Sequence, residues 1–585
     1  MPNMDTHKNI YTLGINEALC ASAALSCDGR IVAAAAEERF TRIKNQWGFP
    51  KESIRYCLKE ANITPADIDC VVLSYIDPYP HFVEKRGQEK KDFAPGFLKH
   101  LRNVAPNLEY QFPWSTRMFD AGRRLYYAMY QTRNQKQQEE EIARFLKIRK
   151  EKIIRVHHHL CHAYTAYFSD PNRGPEDTLV LTNDGAGDQI SASVFLVRDG
   201  TCTLITHTPH SHSLGLLYAA ITSHLGLKAH EDEYKVMGLA PYATNADLKK
   251  IVAVLKKLLW VDHLEFKTSL PSRHYGNFIR EHLASIRFDH LAAATQIFFE
   301  DILVQWVKNA VSETHVTSLA VSGGVFLNVK ANLEIAKLPP IKTIFFMPSP
   351  GDDSNAIGAA YYGYTKIAQN NPEPLSTLYL GPHYTKEEIR KALQNFPSLK
   401  VQKLGNAAAS VAKLLSAGNV VARFAGRMEF GARALGNRSI LADPRNTSVV
   451  ETINKMIKMR DFWMPFAPTV LDESAHKYLT YPRRIDASYM ILAFETTPRG
   501  QKDLAAAIHP YDKSARPQVL RRQDNPIYYQ IIQEFEKLTG VGALLNTSFN
   551  IHGEPIVCTP HDALSTFVRS GLTYMILEDL LVTKL

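Results

Sequence analysis

The chain has 585 residues, 45% of them apolar and 22% charged, with a formal net charge of +9. That length exceeds what one hydrophobic core organises, so two or more domains are expected, and the composition is that of an ordinary globular protein. The chain has no run of about eighteen apolar residues, no apolar signal-peptide core at its start, and seven cysteines without a CxxC pair, so a cytoplasmic protein with free thiols and no membrane span is expected.

In chain order, residues 10–38 (IYTLGINEALCASAALSCDGRIVAAAAEE) read as three strands with a turn at Asp28-Gly29, the β-hairpin signature. KESIRYCLKEA then reads as a helix and DIDCVVLSY (67–75) as a buried strand, an alternation that argues for an α/β fold. Residues 76–150 are polar and charged and read as a solvated helical insertion. In HHHLCHAYTAYF (157–168), His158 and His162 are four apart and share one helix face. The strand DTLVLTNDGAGD (177–188) ends at Asp184-Gly185, a place for a metal or phosphate contact.

SLGLLYAAITSHLGLKAHEDEYKVMGLAPY (213–242) begins as an apolar helix and ends with Glu233, Lys235 and Gly238 near a turn. LAVSGGVFLNVKAN (319–332) joins a strand to a helix through Gly323-Gly324, where backbone amides can meet an anion or an adenosine group. FFMPSPGDDSNAIGAA (345–360) supplies another strand, Asp352 and Asp353, and a small-residue helix start. Two histidines with carboxylates form a ligand set that suits iron, zinc or manganese. Residues 367–388 are rich in Pro and Asn and read as a linker.

Beyond it, NVVARFA (419–425) reads as a buried strand leading into GRMEFGARALGNRSILADPR (426–445). Seven Lys/Arg stand against three Asp/Glu over 426–460. Arg427, Arg433, Arg438 and Arg445, interleaved with glycines, therefore point to a phosphate-type anion site gripped by guanidinium forks. INKMIKMRDFWMPFAPTVL (453–471) adds Lys458 and Arg460, and LLNTSFNIHGEPIVCTP (544–560) runs a strand into the small donors Asn546, Thr547, Ser548 and Asn550.

Together, EYKVMGLAPY, SGGVFLNVKAN, RMEFGARALGNRSILADPR, FWMPFAP, ARPQ and LNTSFNIHGEPIV resemble the nodulation-U and cephamycin type O-carbamoyltransferases over most of the chain. The resemblance implies an actin-like (ASKHA) duplicated α/β domain over 1–370, like that of the tRNA threonylcarbamoyl transferases. It implies a YrdC-like α/β domain over 371–585 that makes a carbamoyl-adenylate from carbamoyl phosphate and ATP. The first domain then passes the carbamoyl group to a hydroxyl of a small molecule, a secondary metabolite or sugar derivative. It further implies an Fe2+-type metal at His158, His162, Asp184 and Asp352, with Asp353 a rival for the last place. Lys458, Arg516 and Ser548 are implied as catalytic, and Arg460 and Met490 at the carbamoyl phosphate and nucleotide positions. Arg433, Arg438 and Asn546 belong to neighbouring motifs, and Lys235, Gly323 and Gly324 complete the cofactor-binding set. Mg2+ is expected on the ATP phosphates. No membrane or nucleic-acid partner is expected, and a homodimer is compatible with the family.

Three departures stand out. Leu19-Cys20 replace a His-Asp pair, whose histidine is the natural contact or base for the acceptor hydroxyl; His157 stands where aspartate is common, and Ala432 where proline is usual. The rival readings are a tRNA threonylcarbamoyl-type enzyme and a non-catalytic nucleotide-binding relative.

Overall fold

The computed structural model describes residues 9–77, 109–110, 135–243, 247–482 and 485–584. The helical insertion expected over 76–150 lies largely outside the described residues; of those described, 135–146 are helical.

Strands β1 (Tyr11–Asn16), β2 (Ser22–Cys27), β3 (Arg30–Ala36), β4 (Cys70–Leu73) and β5 (Ile153–Arg155) form one sheet in the order β3-β2-β1-β4-β5. The first three pair antiparallel, and β4 and β5 add in parallel. Strands β6 (Thr178–Gly187), β7 (Ile190–Arg198) and β8 (Thr201–Pro209) form a second antiparallel meander. A short hairpin, β9 (Leu259–Asp262) and β10 (Glu265–Thr268), follows. Strands β11 (Ser318–Ser322) and β12 (Thr343–Phe346) then add in parallel, giving the order β12-β11-β6-β7-β8. Strand order and direction thus repeat, and so does the turn chemistry. Asp28-Gly29 between β2 and β3 has φ of 49° and 83°, and Asp199-Gly200 between β7 and β8 has 49° and 77°. Two consecutive positive φ values are what a type I′ hairpin turn requires. This is the duplicated actin-like α/β architecture.

The remaining chain builds an eight-stranded mixed sheet from β13 (Leu399–Lys403), β14 (Val421–Phe424), β15 (Arg438–Ala442), β16 (Ala467–Leu471), β19 (Gln518–Leu520), β20 (Ala543–Ser548), β21 (Tyr574–Leu577) and β22 (Leu580–Lys584). Its order is β13-β22-β21-β14-β15-β20-β16-β19, and the small ribbon β17 (Leu479–Thr480) with β18 (Glu495–Thr496) stands apart. The two halves share their cores: Leu181 and Val321 belong to one buried cluster with Val421 and Val470. Among the described residues, no helix is long and apolar enough to cross a membrane.

Two local features place the site. Helix Asn355–Ala368 lies against helix His158–Ser169, because a Cβ on Gly358 would come within 2.0 Å of the Cys161 carbonyl oxygen. This brings the Asp352 turn beside the histidines. Residues 213–242 are not one helix with a charged end. Helix Leu214–His224 stops before Gly226 (φ +76°), and a second helix, Glu233–Leu239, starts after the turn.

Candidate active site

Helix His158–Ser169 follows β5 directly and packs against β6 and β11, which brings its first turn to Asp184 and Asp188. His158 and His162 are fully buried and one turn apart, with their Nε2 atoms 3.1 Å from each other. Asp184, near the end of β6, puts Oδ2 at 3.2 Å from His158 Nε2 and 3.4 Å from His162 Nε2. Asp352 Oδ1 lies 3.6 Å from both rings. One ligand atom from each of the four lies within 4.8 Å of the others.

The donor set fits a divalent cation. Asp352 Oδ1 is buried without a hydrogen-bond partner, and burial and the facing Asp184 carboxylate push Asp352 well up. Two carboxylates this close resist ionising together, and a cation between them removes that cost. Supporting contacts orient the rings. The backbone N–H of His158 donates to Asp188 (2.8 Å), and Ser322 Oγ, 3.1 Å from His162 Nδ1, donates to the Pro350 carbonyl at 3.4 Å. That leaves His162 Nδ1 to donate and Nε2 to ligate. Asp353, by contrast, accepts from Ser349 Oγ at 2.9 Å, and burial pushes it up to about 7.

The second cluster is cationic. Lys458, closing the turn Asn454–Lys458, donates through Nζ to Ser548 Oγ (3.1 Å), Asn550 O (3.2 Å) and Asn550 Oδ1 (2.7 Å). Arg460 packs its guanidinium 5.1 Å above the Phe466 ring and reaches Thr547 Oγ1 at 3.4 Å. Arg433 Nε is buried without a partner. Among the described residues no carboxylate forms an ion pair with Arg433, Lys458, Arg460 or Arg516. The electrostatics record this crowding. Burial, then Arg433 and Arg460, hold Arg516 well below its usual range; burial, then Arg460, bring Arg433 down to about 10 and pull Lys458 well down. Four cations gathered without a counter-charge make a site that a polyanion would relax.

Both clusters contribute to one cavity of about 620 Å³, lined by Asp184, Gly324, Asp352 and Lys235 on one side and by Arg433, Lys458, Arg460 and Ser548 on the other. Arg516 lies near Arg433 and Arg460 but is not on its wall. Leu19 and Cys20, the departures from the family pattern, also face it. Gly324 N–H points to Asp184 Oδ1 at 3.3 Å, whereas the Gly323 N–H already donates to the Pro350 carbonyl at 2.8 Å. Lys235 reaches the cavity but is held by Asp232 (3.3 Å) and Asp461 (3.2 Å).

Three expected ligand contacts are corrected. Arg438 is fully buried, stacks 3.7 Å over Phe424 and donates to the carbonyls of Ala425 and Gly426, at 2.8 and 3.2 Å, and of Pro382 at 3.2 Å. Each hydrogen bond to a charged group contributes about 1.5–3 kcal/mol, so turning this guanidinium toward a ligand would forfeit more than one phosphate contact returns. Asn546 donates inside the sheet to the Ala434 carbonyl and Thr469 Oγ1, both at 3.1 Å. Met490 packs in the core shared by the halves. None of the three lines the cavity. Of the other arginines in 426–445, Arg427 donates to the Val32 carbonyl of the first half (3.0 Å) and to the Leu380 carbonyl (2.9 Å), and Arg445 pairs with Asp443. Of the four arginines in that stretch, only Arg433 lines the cavity, beside Gly431 and Ala432.

Sequence reading missed Tyr234, which lines the cavity close enough to Arg433, Arg460 and Arg516 to influence all three. It missed Arg39 and Ser349 as well. A charged residue in the EERF run after β3 was the available signal.

Comparison with known proteins agrees with this layout. Residues 12–361 match the family described as Carbamoyltransferase N-terminus, and residues 412–584 match Carbamoyltransferase C-terminus. An uncharacterized protein of Synechocystis is 33% identical, covering 96% of this chain and 95% of that protein. Nodulation protein NolNO of Sinorhizobium fredii is 31% identical over 96% of this chain and 78% of its own length. Nodulation protein NolO of Bradyrhizobium diazoefficiens is 33% identical over 73% and 79%. With both family domains matched in order around one cavity, the chain belongs to the carbamoyltransferase family and is a carbamoyltransferase enzyme.

Proposed function

We propose that this enzyme is an ATP-dependent O-carbamoyltransferase working in two half-reactions. Residues 371–585 bind carbamoyl phosphate and ATP and form a carbamoyl-adenylate, and residues 1–370 pass its carbamoyl group to a hydroxyl of a small molecule. The observation that carries this reading is the unneutralised cluster of Arg433, Lys458, Arg460 and Arg516 beside a cavity shared with the histidine–aspartate set.

Hydrolysis of carbamoyl phosphate releases phosphate and leaves carbamate, a poor electrophile. Attack of the carbamate oxygen on the α-phosphorus of ATP expels pyrophosphate and forms a mixed anhydride with AMP. AMP is then the leaving group when the acceptor hydroxyl takes the carbamoyl carbon and gives up its proton. Forming the anhydride gathers negative charge on the phosphates, and preorganised cations stabilise it without reorganising at the moment of reaction. Lys458 is placed for this by Asn550 and by Ser548, whose hydroxyl accepts from Nζ and donates in turn to Asn550 Oδ1 at 2.6 Å. Arg433, Arg460 and Arg516 supply the planar forks that grip phosphate oxygens. Mg2+ travels with the ATP. His158, His162, Asp184 and Asp352 would hold a divalent ion, Fe2+ among the candidates, whose Lewis acidity could anchor a phosphate oxygen. The shared cavity means an adenylate formed at the cations need not leave the protein before transfer.

The test is carbamoyl-phosphate-dependent exchange of labelled pyrophosphate into ATP by the full chain, followed by mass spectrometry with candidate alcohols. Exchange and a product heavier by one carbamoyl group are expected. Exchange that ignores carbamoyl phosphate, or none at all, would sink the adenylate reading.

A further inference from the structure

Arg39 belongs to the first half, in the short helix Glu38–Thr41 after β3, and its side chain is 5% exposed. It reaches into the second half. Its Nη2 donates to the Gly431 carbonyl at 2.7 Å, while Nη1 lies 3.2 Å from Glu38 Oε1. Gly431 sits in a slot. Its φ is +93°, and a Cβ there would fall 2.5 Å from Ser349 Oγ and 3.8 Å from Asp353 Oδ2. Ser349 in turn donates to Asp353, the neighbour of Asp352. The Gly431 peptide is therefore clamped between a guanidinium on one side and the Ser349–Asp353 loop on the other. Two residues on, Arg433 turns its partnerless Nε into the cavity wall. Consecutive Cα atoms are about 3.8 Å apart, so so short a tether carries any displacement of Gly431 to Arg433 nearly undiminished. The same helix also holds the loop beyond Asn550, since Arg42 donates to the carbonyls of Pro555 (2.7 Å) and Ile556 (2.6 Å).

We propose that Arg39 is a positioning residue of the phosphate site: by clamping the Gly431 carbonyl against the Ser349–Asp353 loop, it sets where Arg433 meets a phosphate group. Arg39 also lines the cavity, and the role assigned to it here runs through Gly431. The proposal rests on the reading of the cationic cluster as a phosphate site, and it makes that site a product of both halves of the chain.

Pyrophosphate binding, measured by calorimetry on the full chain, tests it through a double-mutant cycle. Arg39→Met is expected to weaken pyrophosphate at least tenfold, and Arg39→Lys, which keeps a charge and a donor, to recover part of the loss. In an Arg433→Met background, Arg39→Met is expected to cost nothing further, because it acts through Arg433. Gly431→Ala, which drives a methyl into Ser349, should behave like Arg39→Met in both backgrounds. Additive losses in the cycle, or an Arg39→Met protein that binds pyrophosphate as the wild type does, overturn the proposal. If Arg39→Met does not fold, Gly431→Ala and Arg39→Lys decide in the same cycle. Wild-type protein that fails to bind pyrophosphate instead overturns the phosphate-site reading on which this rests.

Discussion

Asp352 and Asp353 are consecutive in the chain, yet Asp352 Oδ1 lies 3.6 Å from both His158 and His162 Nε2, while Asp353 turns away to accept from Ser349 at 2.9 Å. The turn Asp352–Ser354 swings adjacent side chains to different tasks.

The two aspartates therefore separate in a metal assay. Asp352→Asn is expected to lower affinity for a divalent ion by more than the roughly 10–100-fold typical of losing a supporting contact, and Asp353→Asn to leave metal content near wild type. Elemental analysis of the purified variants, alongside His162→Ala, reads this directly. Equal loss in both aspartate variants would remove the assignment.

The cationic cluster is tested by charge. Lys458→Met and Arg516→Glu are expected to lower carbamoyl-phosphate-dependent pyrophosphate exchange by about a hundredfold or more, the scale seen when a preorganised transition-state donor is lost. Exchange at wild-type rates in Arg516→Glu would take that residue out of the site.

Arg438 should behave in the opposite way. Its donors are committed to buried carbonyls and its guanidinium to Phe424. Arg438→Lys is expected to lower stability by about 2 kcal/mol, as for lost hydrogen bonds to a charged group, with the KM for ATP unchanged in the folded protein. Denaturant unfolding and exchange kinetics on the same preparation measure both. A raised KM with unaltered stability would restore Arg438 to the ligand set.

Lys458 links binding to protons. Burial, and then Arg460, hold its ammonium well below the usual lysine range, and among the described residues Nζ donates to Ser548 and Asn550. A phosphate anion arriving there favours the charged form and moves the pKa back up. The bound state then holds more protons than the free state, so binding takes up protons. Affinity falls as pH rises from the depressed free value toward the bound one. Calorimetry in buffers of different ionisation enthalpy should show proton uptake with pyrophosphate, and Lys458→Met should abolish Lys458's share. Proton release would contradict the sign.

Much of this architecture was legible before any coordinates. The Asp28-Gly29 hairpin and the HxxxH spacing at 158 and 162 are local patterns, and local backbone preferences realised them; the strand expected to end at Asp184-Gly185 runs on to Gly187, which leaves Asp184 near its end. The glycines of 426–445 follow the same local logic, since Gly426, Gly431 and Gly436 all adopt positive φ, which glycine tolerates best. Which side chains faced the ligand was harder to read. Arg427, Arg433, Arg438 and Arg445 look alike as letters; one faces the cavity, and the others hold the first half of the chain, a set of buried carbonyls and Asp443.

By itself, then, the order of residues determined the chemistry available: paired imidazoles with carboxylates, an excess of guanidinium among glycines, and strands punctuated by turn residues. These follow from residue type and spacing, which act over a few positions. Tertiary packing decided the rest. It chose Asp352 over Asp353, withdrew Arg438, Asn546 and Met490 into the interior, and brought Arg39 to Gly431 across 392 positions of chain. A side chain's direction depends on what is packed beside it, and for these residues the neighbours come from the other half of the molecule. The arginine-rich stretch at 426–445 could announce an anion site, but only the closure of the two halves on each other put Arg433 on the wall of one cavity with Asp184 and Asp352.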